Sequence, residues 1–430
     1  MNRRFWKLES NQTSYLPASK RLAALFCASS LLVFSATSCG LVEMRDATSE
    51  IRSREETTAP TLRQAERYSE VAGETEPETV PETEAVPEET AVRLSLAAAG
   101  GVFIDEAICN DAAARAMEGK QYSFLTMYSN IYPLVQNADM SLVTLHSPAA
   151  DVDTFGTSSE TFTNMPADSL IALQDLGFDV INVAGAERLV CGAGGLRSTI
   201  ENVCETGVMQ IGAYKDDIDA GDVRVLEMDG VRVAFVSFTE NANSDTDGLV
   251  LHDLTDASVA ASLITYADLV SDVVFVSVTW DNGAESSVRA EQRSACQMLA
   301  EAGADVIVGT DGRGLQTTEW LTADDGTGTF VAYSLGNLMG TGTDMESVLS
   351  GFLTLDVVVG EDGTAALENV KILPLVKHHN ADGSGYQITE LSKYAPEMAA
   401  AHGVEGLTVD AMQSAVSGII PAGNFENTNG

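Results

Sequence analysis

The chain has 430 residues, with 24 Lys and Arg against 63 Asp and Glu, a formal net charge of −39. Hydrophobic residues make up 45% and charged ones 20%, enough apolar material for one large domain or two medium ones. So acidic a chain excludes phosphate-reading nucleic-acid binding and docking on anionic lipid through a basic patch, since both need Lys and Arg; six Cys in this length, none at zinc-finger spacing, exclude a disulfide scaffold.

The first segment is an address. Lys20 and Arg21 precede an apolar run, LAALFCASSLLVFSA, that ends in Ala36-Thr37-Ser38-Cys39. A basic flank, about fifteen apolar residues and small residues at the end form an export signal. The run is short for a membrane span, which needs about twenty residues. Small residues directly before Cys39 look like the lipobox of bacterial lipoproteins, in which the Cys thiol takes a diacylglyceryl group and becomes the new N-terminus. The expectation is a signal over 1–38 and an exported lipoprotein on the outer face of the cell membrane, held by its acyl chains. The alternatives are a plain signal peptide and an uncleaved anchor. Cleavage before Cys39 leaves 19 basic and 62 acidic residues, a net of −43.

Residues 39–92 show no apolar periodicity. Their second half, SEVAGETEPETVPETEAVPEETA, is Glu, Thr, Pro and small residues, a composition that self-repels and builds no core. It reads as a disordered acidic tether. The domain expected at 93–430 holds 14 basic and 48 acidic residues, so it is itself acidic at −34.

Within it, the patterns predict strands over 93–99, 140–145, 178–183, 223–228, 231–238, 273–278, 306–308, 330–333 and 352–359. Helices are predicted over 106–118, 168–176, 196–205, 257–269, 288–302 and 393–401. Asp229-Gly230 reads as a hairpin turn. Strands separated by helices predict an α/β fold, a layered sandwich of mixed β-sheets flanked by helices. Function in such folds gathers just beyond the C-terminal ends of the strands.

Those ends carry a resemblance. LGFDVINVAG (176–185), EAGADVIVGTDGRGLQTTE (301–319) and VAYSLGNLM (331–339) together resemble the poly-γ-glutamate capsule synthesis protein CapA family, from about Leu94 to Ala401 and in the family's order. The resemblance implies a fold similar to calcineurin-like metallophosphoesterases and a part in making or anchoring an anionic surface polymer. Trp280 and the stretch Ser334, Leu335, Gly336 and Asn337 match the family's motifs. The positions that would hold metal mostly depart. Where the family has Gly-Asp, Gly101 follows Gly100. The family's Asn-Leu-Glu is Thr144-Leu145-His146. Its Ala-Asn-Asn-His is Ala184, Gly185, Ala186 and Glu187, with Val190 where many members carry Asp. Its His-Trp-Gly is Thr279-Trp280-Asp281, and its His-x-Pro-His is Thr310, Asp311, Gly312 and Arg313.

A dinuclear hydrolytic site needs several Asp, His and Asn ligands around two cations. Gly101, Gly185, Ala186 and Thr279 cannot supply them, and Arg313 would repel a cation. The expected reading is therefore a catalytically degenerate binding or scaffold component with no cofactor, contacting a surface polymer or capsule-assembly proteins. With a domain charge of −34 and no basic cluster visible in the sequence, a protein or neutral-glycan contact is expected in preference to polyglutamate itself. The alternative is a divergent metal-dependent hydrolase or transpeptidase, with His146, Glu187, Asp281 and Asp311 rebuilding a Mn²⁺ or Mg²⁺ site. A solute-binding lipoprotein would need two similar lobes, and no internal repeat supports them.

Other motifs are weaker. Gly192–Gly195 either cradles phosphate or makes a tight turn. Ser334 does not stand in a G-x-S-x-G elbow. Asp245 and Asp247 read as a polar turn, His378-His379 as a solvated pair after Pro374, and Cys191 and Cys204 as either bridged or free.

Overall fold

The computed structural model describes residues 91–424 except 160–161, 241, 243–245, 282–286, 311–313 and 361–362. The export signal, Cys39 and nearly all of the tether lie outside the described residues, as do Asp245, Asp311, Gly312 and Arg313. In chain order the strands are β1 (Val92–Val102), β2 (Met140–Leu145), β3 (Val180–Asn182), β4 (Met209–Ile211), β5 (Arg224–Met228), β6 (Val231–Thr239), β7 (Val273–Thr279), β8 (Val306–Thr310), β9 (Thr318–Thr322), β10 (Gly328–Ala332), β11 (Asn337–Met339), β12 (Leu349–Val359), β13 (Ala365–His378) and β14 (Gln387–Glu390).

They form two mixed sheets. The first runs β14-β13-β12-β1-β2-β3-β4, with β11 also paired to β1; the second runs β5-β6-β7-β8-β10-β9. In the first, β1 to β4 are parallel and β12 to β14 antiparallel. In the second, β6, β7, β8 and β10 are parallel, with β5 and β9 antiparallel at the two edges. Helices link the successive parallel strands β1 to β4 and β6 to β8, whereas β8 reaches its parallel neighbour β10 through β9.

Strand periodicity sorts the core into layers. Leu94, Leu96, Met140, Leu142 and Val180 of the first sheet share one cluster with Val233, Phe235, Phe275, Val306 and Val308 of the second, so these residues fill the space between the sheets. Val143, Leu145 and Ile181 point the other way, against the helices Glu106–Ala114, Ala167–Leu176 and Gly192–Thr206. Val274, Val276 and Ile307 do the same on the far side, against Ala257–Val270 and Ala290–Glu301. This is the layered sandwich of mixed sheets flanked by helices that the pattern predicts and the resemblance implies.

The nine predicted strands are present, and Asp229 and Gly230 both take positive φ at the β5–β6 turn. Three readings need correction. The segment after β12 is a fourteen-residue strand, β13, containing Pro374. Pro374 is tolerated because β14 joins only from Leu375 onward, so the strand is an edge on that side at that point. The helix predicted over 393–401 is broken: a 3₁₀ turn ends at Lys393, and a new helix starts at Pro396. Ala395 before the proline is extended, as a residue in that position must be. Gly192–Gly195 is the first turn of a helix, not a loop ahead of one.

Candidate functional site at the strand ends

The inner faces of the sheets change character along the strands. They begin apolar. Towards the C-terminal ends of β2, β3, β6 and β7 they turn polar, at Thr144, Asn182, Ser237 and Ser277, all buried. These four satisfy one another across the two sheets. Asn182 Nδ2 donates to Ser277 Oγ at 3.0 Å and to Thr144 Oγ1 at 3.4 Å. Asn182 Oδ1 accepts from Ser237 Oγ at 3.0 Å and from the Ala184 N–H at 2.9 Å.

Two residues further along stand His146, Thr239 and Thr279, with Thr310 beside Thr279 at the end of β8. Thr239 Oγ1 donates to the Glu240 carbonyl. His146 Nε2, Thr279 Oγ1 and Thr310 Oγ1 are buried without a hydrogen-bond partner. Burial, with Lys377 adding its positive charge, pushes the His146 imidazole down to about 4, so the ring is neutral at physiological pH.

The motif stretch SLGN staples the two sheets together just below this tier. The Leu335 N–H donates to the Gly309 carbonyl of β8 at 3.0 Å, and the Gly101 N–H of β1 donates to the Gly336 carbonyl at 2.9 Å. Ser334 Oγ donates to the Gly314 carbonyl and accepts from the Gly336 N–H. Gly336 has φ +66°, and its carbonyl would lie 1.8 Å from any Cβ at Gly100. Trp280 donates from Nε1 to the Tyr333 carbonyl at 2.7 Å. The matched motif residues Trp280, Ser334, Leu335 and Gly336 thus hold backbone together, while Asn337 pairs with Gly101 on the adjoining strand.

Position 101 shows how the departures are accommodated. A Cβ there would lie 2.5 Å from His146 Cε1 and 2.6 Å from Asn337 Oδ1. The imidazole stands where an aspartate at 101 would have to begin. Gly185 is closed in the same way, by the backbone of Leu145 and His146. What the described strand ends offer here, one imidazole, two hydroxyls and the Asn337 amide, falls short of the carboxylate and imidazole set that two hard cations need. Among the described residues no group of three His, Cys, Asp or Glu side chains could hold a metal ion.

The structure places three of the four candidate metal residues on one rim without making them a group. Glu187 donates its backbone N–H to the His146 carbonyl at 3.0 Å, but its side chain is exposed, as is that of Asp281. Asp281 donates its N–H to Glu240 Oε2, which also receives Arg289 at 2.7 Å. Ala186 is exposed. Asp311 lies outside the described residues.

Sequence reasoning missed the cations. Arg188 donates to the Gly185 carbonyl at 3.0 Å; burial lowers its guanidinium pKa, with Asp281 and Asp253 working against that. Lys377, on β13, is buried within electrostatic range of His146. Arg188 stands near Asp281 and Asp253, and Arg289 is paired with Glu240, so both arginines at this rim are accompanied by acids. The available signal was the period-2 polar pair at a strand end, Thr144/His146 and Ser277/Thr279.

Two further expectations change. His378 is not solvated: it closes β13, buried, with Nδ1 2.6 Å from the Tyr394 hydroxyl and its ring 5.2 Å from that of His402. His379 stacks on Tyr386, and both its ring nitrogens face carbonyl oxygens. Cys191 and Cys204 are not bridged to each other. They stand at the two ends of one helix, about 20 Å apart at 1.5 Å per residue, beyond any disulfide's reach. Around Asp247 the chain makes the polar turn expected, with Asp247 and Gly248 both at positive φ.

Comparisons with known proteins agree on the family. The model of the bacterial capsule synthesis protein PGA_cap family matches residues 95–341. The PGA biosynthesis protein CapA of Bacillus subtilis (strain 168) is 26% identical over 179 residues, 40% of this chain and 45% of that one. The capsule biosynthesis protein CapA of Bacillus anthracis is 25% identical over 186 residues, 40% of this chain and 42% of that one. The chain therefore spans under half the length of these curated relatives. Among solved structures, the NAD nucleotidase of Haemophilus influenzae aligns with a TM-score of 0.39 at 14% identity, over 78% of this chain and 57% of that one. A putative 5′-nucleotidase from Staphylococcus aureus aligns with a TM-score of 0.41 at 11% identity, over 66% and 54%. The family match takes in more than half of the chain and reaches from β1 through the SLGN staple, and by it this chain belongs to the bacterial capsule synthesis protein PGA_cap family.

Proposed function

We propose that this protein is an exported lipoprotein, anchored by acyl chains on Cys39, whose domain serves surface-polymer biosynthesis as a binding or scaffold component without a dinuclear metal centre. The process comes from the family and from the PGA and capsule biosynthesis named for its Bacillus relatives. The observation that supports the rest is position 101, a glycine whose side-chain space is taken by the ends of the His146 and Asn337 side chains. Two-metal catalysis depends on ligands that fix both cations against the attacking and leaving oxygens. Without them the framework keeps its shape and its seam between the sheets, and the chemistry left to it is recognition.

The test pairs calorimetric titration of Mn²⁺ and Mg²⁺ with a phosphodiester turnover assay on the mature protein. No saturable binding at about millimolar metal and no turnover are expected. Metal-dependent turnover that falls in Glu187→Ala or Asp281→Ala would replace this reading with that of a divergent hydrolase or transpeptidase. The anchor is tested separately. Cys39→Ala should move the protein from the membrane fraction into the soluble one, since lipid chains supply the binding energy; an unchanged membrane fraction would argue for a retained signal segment.

A further inference from the structure

The polar seam between the sheets has two tiers. In the lower one Thr144, Asn182, Ser237 and Ser277 satisfy one another. The upper one lies two residues, about 6.7 Å, further along the strands. There His146, Thr279 and Thr310, each at most 2% exposed, present Nε2 and two Oγ1 atoms without a partner. Buried polar groups are seldom left unpaired, because the desolvation cost is then uncompensated. Three in one tier, on two sheets locked together by the Gly309–Leu335 and Gly101–Gly336 hydrogen bonds, mark a place completed by something bound.

The surrounding charge selects its kind. Lys377 is buried within electrostatic range of His146, and Arg188 sits on the same rim, tied to the Gly185 carbonyl. Both repel a cation. The threonine hydroxyls and a neutral imidazole can each donate a hydrogen bond. Asp281 and Asp253, which face Arg188, together with the domain's net charge of −34, disfavour a long run of negative charge at the mouth.

We propose that the upper tier binds a single oxyanion, a carboxylate or phosphate group, directly and without a metal, with Thr279, Thr310 and His146 donating to its oxygens and Lys377 supplying the charge. This rests on the reading that the site binds and does not hydrolyse. In a capsule protein the ligand would be one anionic group of a polymer or precursor, such as a chain terminus, in place of an extended polyanion.

The test is calorimetry on the mature protein in EDTA with two probes, inorganic phosphate and glutarate, against wild type and the double variant Thr279→Val/Thr310→Val. Valine keeps the threonine shape and needs no partner. One probe should saturate the wild type at one per chain, phosphate marking a phosphoryl ligand and glutarate a carboxylate. The double variant should bind at least about tenfold more weakly and melt no lower than wild type, which separates a lost ligand contact from a damaged fold. If neither probe saturates by about 10 mM, or the double variant binds as tightly as wild type, the oxyanion site is wrong. Metal-dependent turnover in the separate assay would instead remove the binding reading, whatever the EDTA titration gives.

Discussion

Asn182 is the residue on which the inter-sheet seam turns. It makes hydrogen bonds to Thr144, Ser237, Ser277 and the backbone of Ala184, all among buried groups. Asn182→Ala strips the partner from each and opens a small cavity, so it should cost about 3 kcal/mol in urea unfolding; a loss under about 0.5 kcal/mol would mean that water takes the amide's place. His146 sets a pH dependence. Burial first, then Lys377, hold its folded-state pKa at about 4, below the unfolded 6.5. The unfolded chain therefore binds the proton first. Stability is fully present above pH 6.5 and falls as pH drops towards 4, by about 2 kcal/mol at pH 5 from this residue. His252, also held at about 4, chiefly by burial, adds to the slope in the same window. His146→Gln should flatten part of the slope of melting temperature against pH between 6.5 and 4; an unaltered slope would show that His146 is already protonated in the fold.

Among the elements, the short Ser334–Asn337 segment does more than link β10 to β11. It ties β8 of one sheet to β1 of the other through backbone groups, and the Ser334 hydroxyl closes its turn in both directions, to Gly314 and from Gly336. Ser334→Ala leaves a buried carbonyl and a buried N–H without that partner, at about 2 kcal/mol. Because the staple positions the upper tier, the variant should also weaken oxyanion binding while keeping native far-UV circular dichroism. A variant as stable as wild type would show that the neighbouring backbone bonds hold the turn alone. The matched motif is thus a mechanical joint: packing demands glycine and Ser334 here whether or not metal is held.

For the molecule as a whole, 48 acidic against 14 basic residues in the domain set up self-repulsion that the fold must overcome. Several of the few cations are committed to ion pairs, among them Arg93 with Asp356 and Glu368, Arg232 with Asp272 and Arg293 with Glu319, which are largely at the surface and individually weak. Screening should therefore favour the folded state: the melting temperature is expected to rise as NaCl goes from about 10 to 150 mM, over which the Debye length shortens from about 30 to 8 Å. A fall with salt would mean that the ion pairs outweigh the net repulsion.

The α/β class, the two-sheet layering and the positions of the principal strands were legible in the chain because they rest on local periodicity: Val273–Val278 and Ala304–Val308 read as covered strands, and Asp229-Gly230 as a turn, whatever surrounds them. That Gly101, Gly185 and Thr279 carry neither carboxylate nor imidazole was equally legible, since residue type alone determines it. Only the tertiary structure decided what surrounds those positions. Lys377 lies on a strand hidden behind Pro374, and its approach to His146 depends on sheet order; Arg188 is held at the Gly185 carbonyl, where the chain packs closely on the backbone of Leu145 and His146. Those are long-range facts of packing, and no window of sequence short enough to show a pattern contains them.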